Sequence, residues 1–244
     1  MTERRMTEGP RRVALLHTAS LLVPRFESLL AASIPGVEVT HVVDPGLLRT
    51  AVEQGVTDDL SARVADQLAH LEAGGAEAIL VTCSSIGEAV EAAASSARVP
   101  ILRVDAPMAA RAVDIAARAG AAEARPGRIA VLATLSATLG PTGRLIAAMA
   151  AGTEVETSAS VVAGAIEARE AGDRDRHDAL IREAATDAAE SADVVVLAQA
   201  SMAGALDDAT LGVPVLSSPS GGVEALARAL GAANAADNGR RQSG

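Results

Sequence analysis

The sequence predicts an α/β fold of two similar lobes, each a mainly parallel sheet flanked by helices. A pseudo-twofold axis should relate the lobes and leave a cleft between them, faced by strand ends from both. Three observations predict it. Short apolar runs alternate with segments of helical periodicity along most of the chain. Residues 192–203 repeat the pattern of residues 76–87 without a gap, at an offset of 116. At the same offset Arg128-Ile129-Ala130-Val131-Leu132 matches Arg12-Val13-Ala14-Leu15-Leu16, and Thr134 and Ser136 match Thr18 and Ser20.

The elements follow in order. Residues 13–16 are uniformly apolar and read as a first buried strand, whose end carries His17, Thr18 and Ser20. A helix through Phe26, Leu29 and Leu30 closes near Ile34-Pro35-Gly36. A second strand, 37–43, ends at Asp44-Pro45-Gly46. Residues 58–73 place Leu60, Val64, Leu68 and Leu71 on one helical face, stopped by Gly74-Gly75. Ala78-Ile79-Leu80 is a third strand leading into Val81-Thr82-Cys83-Ser84. Ser85 and Glu88 have the spacing of a capping box, so a helix should start at Ser85 and run to Ala97. A fourth strand, 100–104, ends at Asp105, which caps a linking helix over 108–119.

The order then repeats: a strand at 128–132, a helix from Pro141 through Met149, a strand at 154–160, and helices over 161–171 and 173–191. The strand before Gln199 and Val213-Pro214-Val215-Leu216 complete the set, and a last helix covers 222–230. Residues 12–106 make the first lobe, completed by a C-terminal helix within 219–231. Residues 107–218 make the second, and 1–11 and 232–244 are expected as disordered tails.

Composition limits the function classes. Hydrophobic residues are 49% of 244, yet there is one Phe, Phe26, and no Trp or Tyr. Such a core of Val, Leu, Ile and Ala packs closely, and base stacking has no platform beyond Phe26. The formal charge of −10, from 31 acids and 21 bases, argues against nucleic acid. One cysteine excludes an intrachain disulfide and a cysteine metal cluster. Scattered histidines give no metal site, and no Gly-rich phosphate loop follows a strand, so no cofactor is expected. The polar start lacks an apolar signal core, and no stretch reads as a membrane span. A cytoplasmic protein is expected, forming a homo-oligomer.

The chemistry gathers where strands end, because parallel sheets bind ligands at their carboxyl ends. Cys83 lies where a strand gives way to a helix, where backbone N–H groups and the helix dipole favour an anion. Such a dipole contributes only about 0.3–1 kcal/mol, so useful thiolate formation needs a further cation or several hydrogen bonds. His17 is the best-placed cation, because the first and third strands should be neighbours. Read plainly, Cys83 is a small buried hydrophobe, Ser85 a cap, and Thr134 and Thr138 ordinary turn residues. Read functionally, Thr18, Ser84, Ser85, Thr134 and Thr138 hold a carboxylate, and Gln199, Ala200 and Ser201 line the cleft from the other side. His41, His70 and His177 are expected to be solvated or packing residues.

These motifs resemble the aspartate/glutamate/hydantoin racemase superfamily over about residues 12–230. Thr82-Cys83-Ser84-Ser85 is similar to its first-lobe cysteine loop. Leu197-Ala198-Gln199-Ala200-Ser201-Met202-Ala203 is similar to the second-lobe loop Leu-Gly-Cys-Ala-Gly-Met-Ala of hydantoin racemases. Ala133-Thr134 with Thr138, and Val99-Pro100 leading to Asp105, also fit. The departure is Gln199, which stands where the second cysteine belongs. The resemblance implies a cofactor-independent enzyme acting on a small amino acid or related carboxylate. Cys83 would be its base or nucleophile, and Gln199 would orient or polarise the substrate. It also implies alternatives on the same scaffold: cis–trans isomerisation, as in maleate isomerases with a first-lobe nucleophilic cysteine, or a one-base lyase or decarboxylase step. A small-acid binding protein without catalysis is the reading from another class.

Overall fold

The computed structural model describes residues 10–206 and 210–242. In the first lobe β1 (Arg12–His17), β2 (Glu38–Val43), β3 (Ala78–Val81) and β4 (Ile101–Arg103) form one parallel sheet in the order β2-β1-β3-β4. The second lobe has β5 (Gly127–Ala133), β6 (Val155–Val161), β7 (Val194–Leu197) and β8 (Val215–Ser217), ordered β6-β5-β7-β8 and again parallel. The central strands β1, β3, β5 and β7 are buried along nearly their whole length, as strands covered on both faces must be. Register carries the repeat: Val13 pairs with Ala78, and Ile129 with Val194.

Helices cover both faces of each sheet. In the first lobe they are α1 (Val23–Ser33), α2 (Pro45–Gln54), α3 (Asp58–Ala73) and α4 (Gly87–Ala94). The remainder are α5 (Ala106–Glu123), α6 (Ser136–Met149), α7 (Ala165–Glu170), α8 (Arg174–Ala189) and α9 (Ser218–Gln242). The helix after each fourth strand packs on the other lobe. Met108, Ala109, Ala112 and Ala116 of α5 join Ile129, Val131 and Val194 of the second sheet. Val223, Leu226 and Leu230 of α9 join Val13, Leu15 and Leu80 of the first, together with Phe26 of α1. Small residues permit the close approach: a Cβ on Gly127 would overlap the carbonyl group of Ala116.

Several elements differ from their sequence expectations. The Asp44-Pro45-Gly46 turn begins a helix, α2: the Asp44 carboxylate accepts from Gly46 N–H at 2.8 Å, and Pro45 takes the first helical position. The strand expected over 154–160 continues to Val161, a β-branched residue. Gly164, at φ +76°, then redirects the chain into a helix much shorter than expected over 161–171. α6 starts at Ser136, with Pro141 inside it. α9 extends to Gln242, through positions expected as a polar tail. The expected leader falls outside the described residues at 1–9, as do 243–244.

Ser85 does not act as a helix cap. A short 3-10 turn, Ser84–Ile86, precedes α4, and no side chain caps either. Asp105 stands at the N-cap of α5 without making a cap bond, because Arg103 holds its carboxylate.

Candidate active site

The carboxyl ends of β3 and β7 meet at the seam between the lobes. Ser84 Oγ donates to the Ala198 carbonyl at 3.0 Å, tying the residue after Cys83 to the residue before Gln199. Ser85 Oγ and Thr138 Oγ1 are 3.1 Å apart and both buried. Glu88 pairs with Arg144 farther along the same seam. Ala200 packs within the apolar cluster of the first lobe, beside Val13 and Leu15. The hydroxyls of Ser84, Ser85 and Thr138, expected to hold a substrate carboxylate, are therefore engaged in joining the lobes.

Cys83 is partly exposed, between buried Thr82 and buried Ser84. Burial of the thiol is the strongest influence on it and raises its pKa. Hydrogen bonds from the Thr18 side chain and from the N–H groups of Ser85 and Ile86 lower it, and the nearby Asp105 carboxylate raises it again. The balance lies above the ordinary cysteine value, so the resting group at neutral pH is a thiol. The local N–H groups do act on the sulfur, as expected, but burial outweighs them.

His17 does not supply the expected cation. It is fully buried, with Nδ1 2.9 Å from Thr82 Oγ1 and Nε2 2.9 Å from Nδ1 of His41. Thr82 Oγ1 donates to the Leu16 carbonyl at 3.3 Å. His17 Nδ1–H therefore donates to Thr82, and its bare Nε2 accepts from His41, a tautomer assigned from this chain of partners. The two rings stack with centroids 5.1 Å apart, and Phe26 packs against His17. Burial first, and then the neighbouring His41, lower the His17 pKa to about 4, so the ring is neutral at physiological pH. His41, expected to be solvated or packing, is part of this pair.

The site does hold one buried cation, Arg103, but carboxylates already engage it. Arg103 Nε and Nη2 donate to the two Asp105 oxygens at 2.9 and 2.8 Å, and Nη1 donates to Glu91 at 2.9 Å. Arg103 and Asp105 are both buried. The guanidinium lies against Gly87 so closely that a Cβ there would overlap it. Composition and periodicity did not identify this pair; its only sequence signal is an Arg and an Asp two apart at a strand end.

In the second lobe Gln199 Oε1 accepts from Thr134 N at 2.5 Å and from Thr134 Oγ1 at 2.9 Å. Thr134 and Gln199 stand 116 residues after Thr18 and Cys83. The same threonine thus meets the same strand end in each lobe, touching a thiol in one and an amide in the other. Two donors fix the amide oxygen, which leaves the Gln199 NH2 as a donor to its surroundings.

A family model for Asp/Glu/hydantoin racemases matches residues 18–226. The chain belongs to the Asp/Glu/hydantoin racemase family. Solved structures of similar fold include Picrophilus torridus aspartate racemase, at 15% identity and a TM-score of 0.65, covering 91% of this chain and 94% of that one. Allantoin racemase from Klebsiella pneumoniae has 16% identity and a TM-score of 0.63, covering 92% and 89%. A mutant arylmalonate decarboxylase in a sulfate-associated form has 20% identity and a TM-score of 0.58, covering 91% and 94%. No match was found among curated proteins. The two-lobe architecture is that of the family.

The other expected site residues are dispersed. Ser20 and Ser136 are exposed at the starts of their helical segments. Ser201 Oγ accepts from Arg169 Nη1 at 3.0 Å. His70 is exposed in the last turn of α3, and His177 is buried on α8 against Asp178. Among the described residues no cluster of three or more His, Cys, Asp or Glu is placed to hold a metal. None of the described helices is long and apolar enough to cross a membrane.

Proposed function

We propose that this chain is a cofactor-independent enzyme of its family that transfers a proton at the α-carbon of a small amino acid or related carboxylate. Cys83 is its single acid–base group, and Gln199 is a fixed hydrogen-bond donor opposite it. One observation carries the reading: Thr18 meets Cys83 and Thr134 meets Gln199 at equivalent positions of the two lobes. Racemisation by two thiols needs an acid on one face of the carbon and a base on the other. An amide donates and accepts hydrogen bonds but does not exchange a proton near neutral pH. Chemistry at Cys83 is therefore one-sided.

A second form of the reaction is favoured by the resting thiol. In a one-base decarboxylation the C–C bond to a carboxylate breaks, carbon dioxide leaves, and the electron pair remains as an enediolate on the other carboxylate. The Gln199 NH2 donates to that developing charge. Cys83 S–H then gives its proton to the carbon, and the thiolate regains one from water. This direction uses the protonated cysteine that burial favours. Nucleophilic addition in a cis–trans isomerisation instead requires the thiolate that burial disfavours.

The remainder of the reading is a cytoplasmic protein that uses neither nucleic acid nor membrane and assembles as a homo-oligomer. The nearly fully exposed edge strand β6 supports assembly, and light scattering tests it. The decisive assay incubates the protein with amino acids, dicarboxylic acids and substituted malonates in deuterated water. Proton NMR and chiral chromatography then follow exchange, carbon dioxide loss and configuration. We expect deuterium on one face only, abolished in Cys83→Ser. Efficient racemisation by the unaltered protein, or turnover surviving in Cys83→Ser, overturns the assignment.

A further inference from the structure

Two cavities flank the seam and are counterparts under the repeat. One, of about 440 Å³, is lined by Ser85, Glu88, Ala137, Gly140 and Arg144. The other, of about 540 Å³, is lined by Ser201, Gly204, Leu21, Pro24 and Ser28, each 116 residues from its equivalent. The first cavity carries the Glu88–Arg144 ion pair. In the second, Gly204 and Ser28 occupy those two positions, and neither bears a charge. The repeat is thus broken at these two positions, where one flank carries an ion pair and the other carries two uncharged residues.

Cationic groups gather at the second flank. Arg169, Arg174, Arg25 and His177 line it, with Asp178 as the acid among the described residues. Asp178 is already shared, 2.8 Å from His177 Nδ1 and 3.7 Å from Arg174. Arg169 is partly buried, donates to Ser201 Oγ at 3.0 Å, and makes no ion pair with any described carboxylate. Burial lowers its pKa and the adjacent Glu170 raises it, with a net shift downward. A guanidinium kept partly out of water without a carboxylate is a costly arrangement unless something completes it. His177 supplies an independent observation: its side chain is about 5% exposed, and its buried Nε2 has no hydrogen-bond partner. Asp178 accepts from Nδ1–H, so Nε2 is left for a ligand, and toward an oxyanion it acts only as the Nε2–H donor of a ring protonated on both nitrogens.

We propose that the cavity between the start of α1 and the α7–α8 turn is an oxyanion-binding site, in which Arg169 and His177 hold a carboxylate or phosphate group beside Ser201. Guanidinium forms paired hydrogen bonds to both oxyanions. Ala200 and Ser201 line the cavity immediately after Gln199 in the chain, so occupancy bears directly on the loop that presents the amide. The anion has two possible sources: the far end of the substrate, or a separate small ion acting on that loop. The proposal does not depend on Cys83 being catalytic.

The test uses the full chain and nitrogen NMR of its four histidine rings, with the His177 signal assigned by its loss in His177→Gln. Inorganic phosphate, acetate and the straight-chain dicarboxylates from succinate to adipate are titrated separately. We expect a saturable shift of His177 with phosphate or a dicarboxylate. Arg169→Gln should weaken that binding by about tenfold or more, and Arg169→Lys should restore part of it, with the thermal midpoint unchanged in both. Alkylation of Cys83 by iodoacetamide, followed in parallel, separates the sources. A ligand that shifts His177 and also protects Cys83 spans both places, whereas one that shifts His177 alone is a separate ion. Either result supports the site. A linear, non-saturating response from every probe, or saturable binding unchanged by Arg169→Gln, overturns it. Failure of turnover with the His177 response intact overturns the enzymatic reading alone.

Discussion

At the scale of single residues, protonation states decide what the site can do. The Cys83 thiol is held above its ordinary pKa, burial acting most strongly. Its alkylation rate should therefore keep rising with pH past the ordinary cysteine range; a plateau at neutral pH would contradict this account. Cys83→Ala should abolish turnover and cost about 1 kcal/mol, because it removes a single sulfur atom that packs against the first-lobe core. Gln199→Cys places a second thiol at the position equivalent to Cys83, and racemisation of a small acid should appear, read by chiral chromatography. His17 gives a pH dependence of opposite origin. Its folded pKa of about 4 lies below the ordinary 6.5, so between these values the unfolded chain binds more protons. Stability from the neutral ring is complete above about 6.5 and is lost as pH falls through about 4, roughly 2 kcal/mol after allowance for solvent screening. NMR titration should place its imidazole near the lower value, and a midpoint at or above 6.5 would refute the buried, partnered ring.

At the scale of elements, the turn from β3 into α4 is held from below by Arg103. Its guanidinium spans Asp105 and Glu91 and lies against Gly87. Gly87→Ala should cost about 1–3 kcal/mol by forcing Arg103 aside. Arg103→Leu should cost more, about 3–5 kcal/mol, because it leaves the buried Asp105 carboxylate without its partner. Denaturant titrations measure both. The Ser85–Thr138 pair couples this turn to α6. A double-mutant cycle of Ser85→Ala with Thr138→Val should give a coupling of about 1 kcal/mol, and no coupling would mean that the hydroxyls do not join the lobes.

At the scale of the molecule, the lobes exchange helices. The face of the first sheet that carries Val13, Leu15 and Leu80, covered in part by Phe26 of α1, is completed by Val223, Leu226 and Leu230 from the far end of the chain. A fragment of residues 12–106 should therefore fail to fold alone, and the whole chain should unfold in one transition. Circular dichroism and hydrogen exchange on the fragment check the first expectation, and coincident transitions from two probes check the second. A folded fragment would show that the first lobe does not need α9.

The sequence by itself determined the two sheets, their parallel order and the equivalence of Cys83 with Gln199 and of Thr18 with Thr134. Each is written locally, as an apolar run or as a repeat at constant offset, and a parallel sheet converts that pattern directly into position. Some local signals were legible but misread, notably Asp44-Pro45, which begins α2. The tertiary structure decided the chemical state of the site. His17 is neutral because Thr82 and His41, distant in sequence, take its two nitrogens in a buried place. Ser84 is engaged because Ala198 of the other lobe stands opposite it. Cys83 rests as a thiol because burial outweighs the nearby N–H groups, and Arg169 meets the Ser201 hydroxyl rather than any described carboxylate. Charge, proton and hydrogen-bond states depend on burial and on partners far along the chain, and those are settled only when the lobes close on each other.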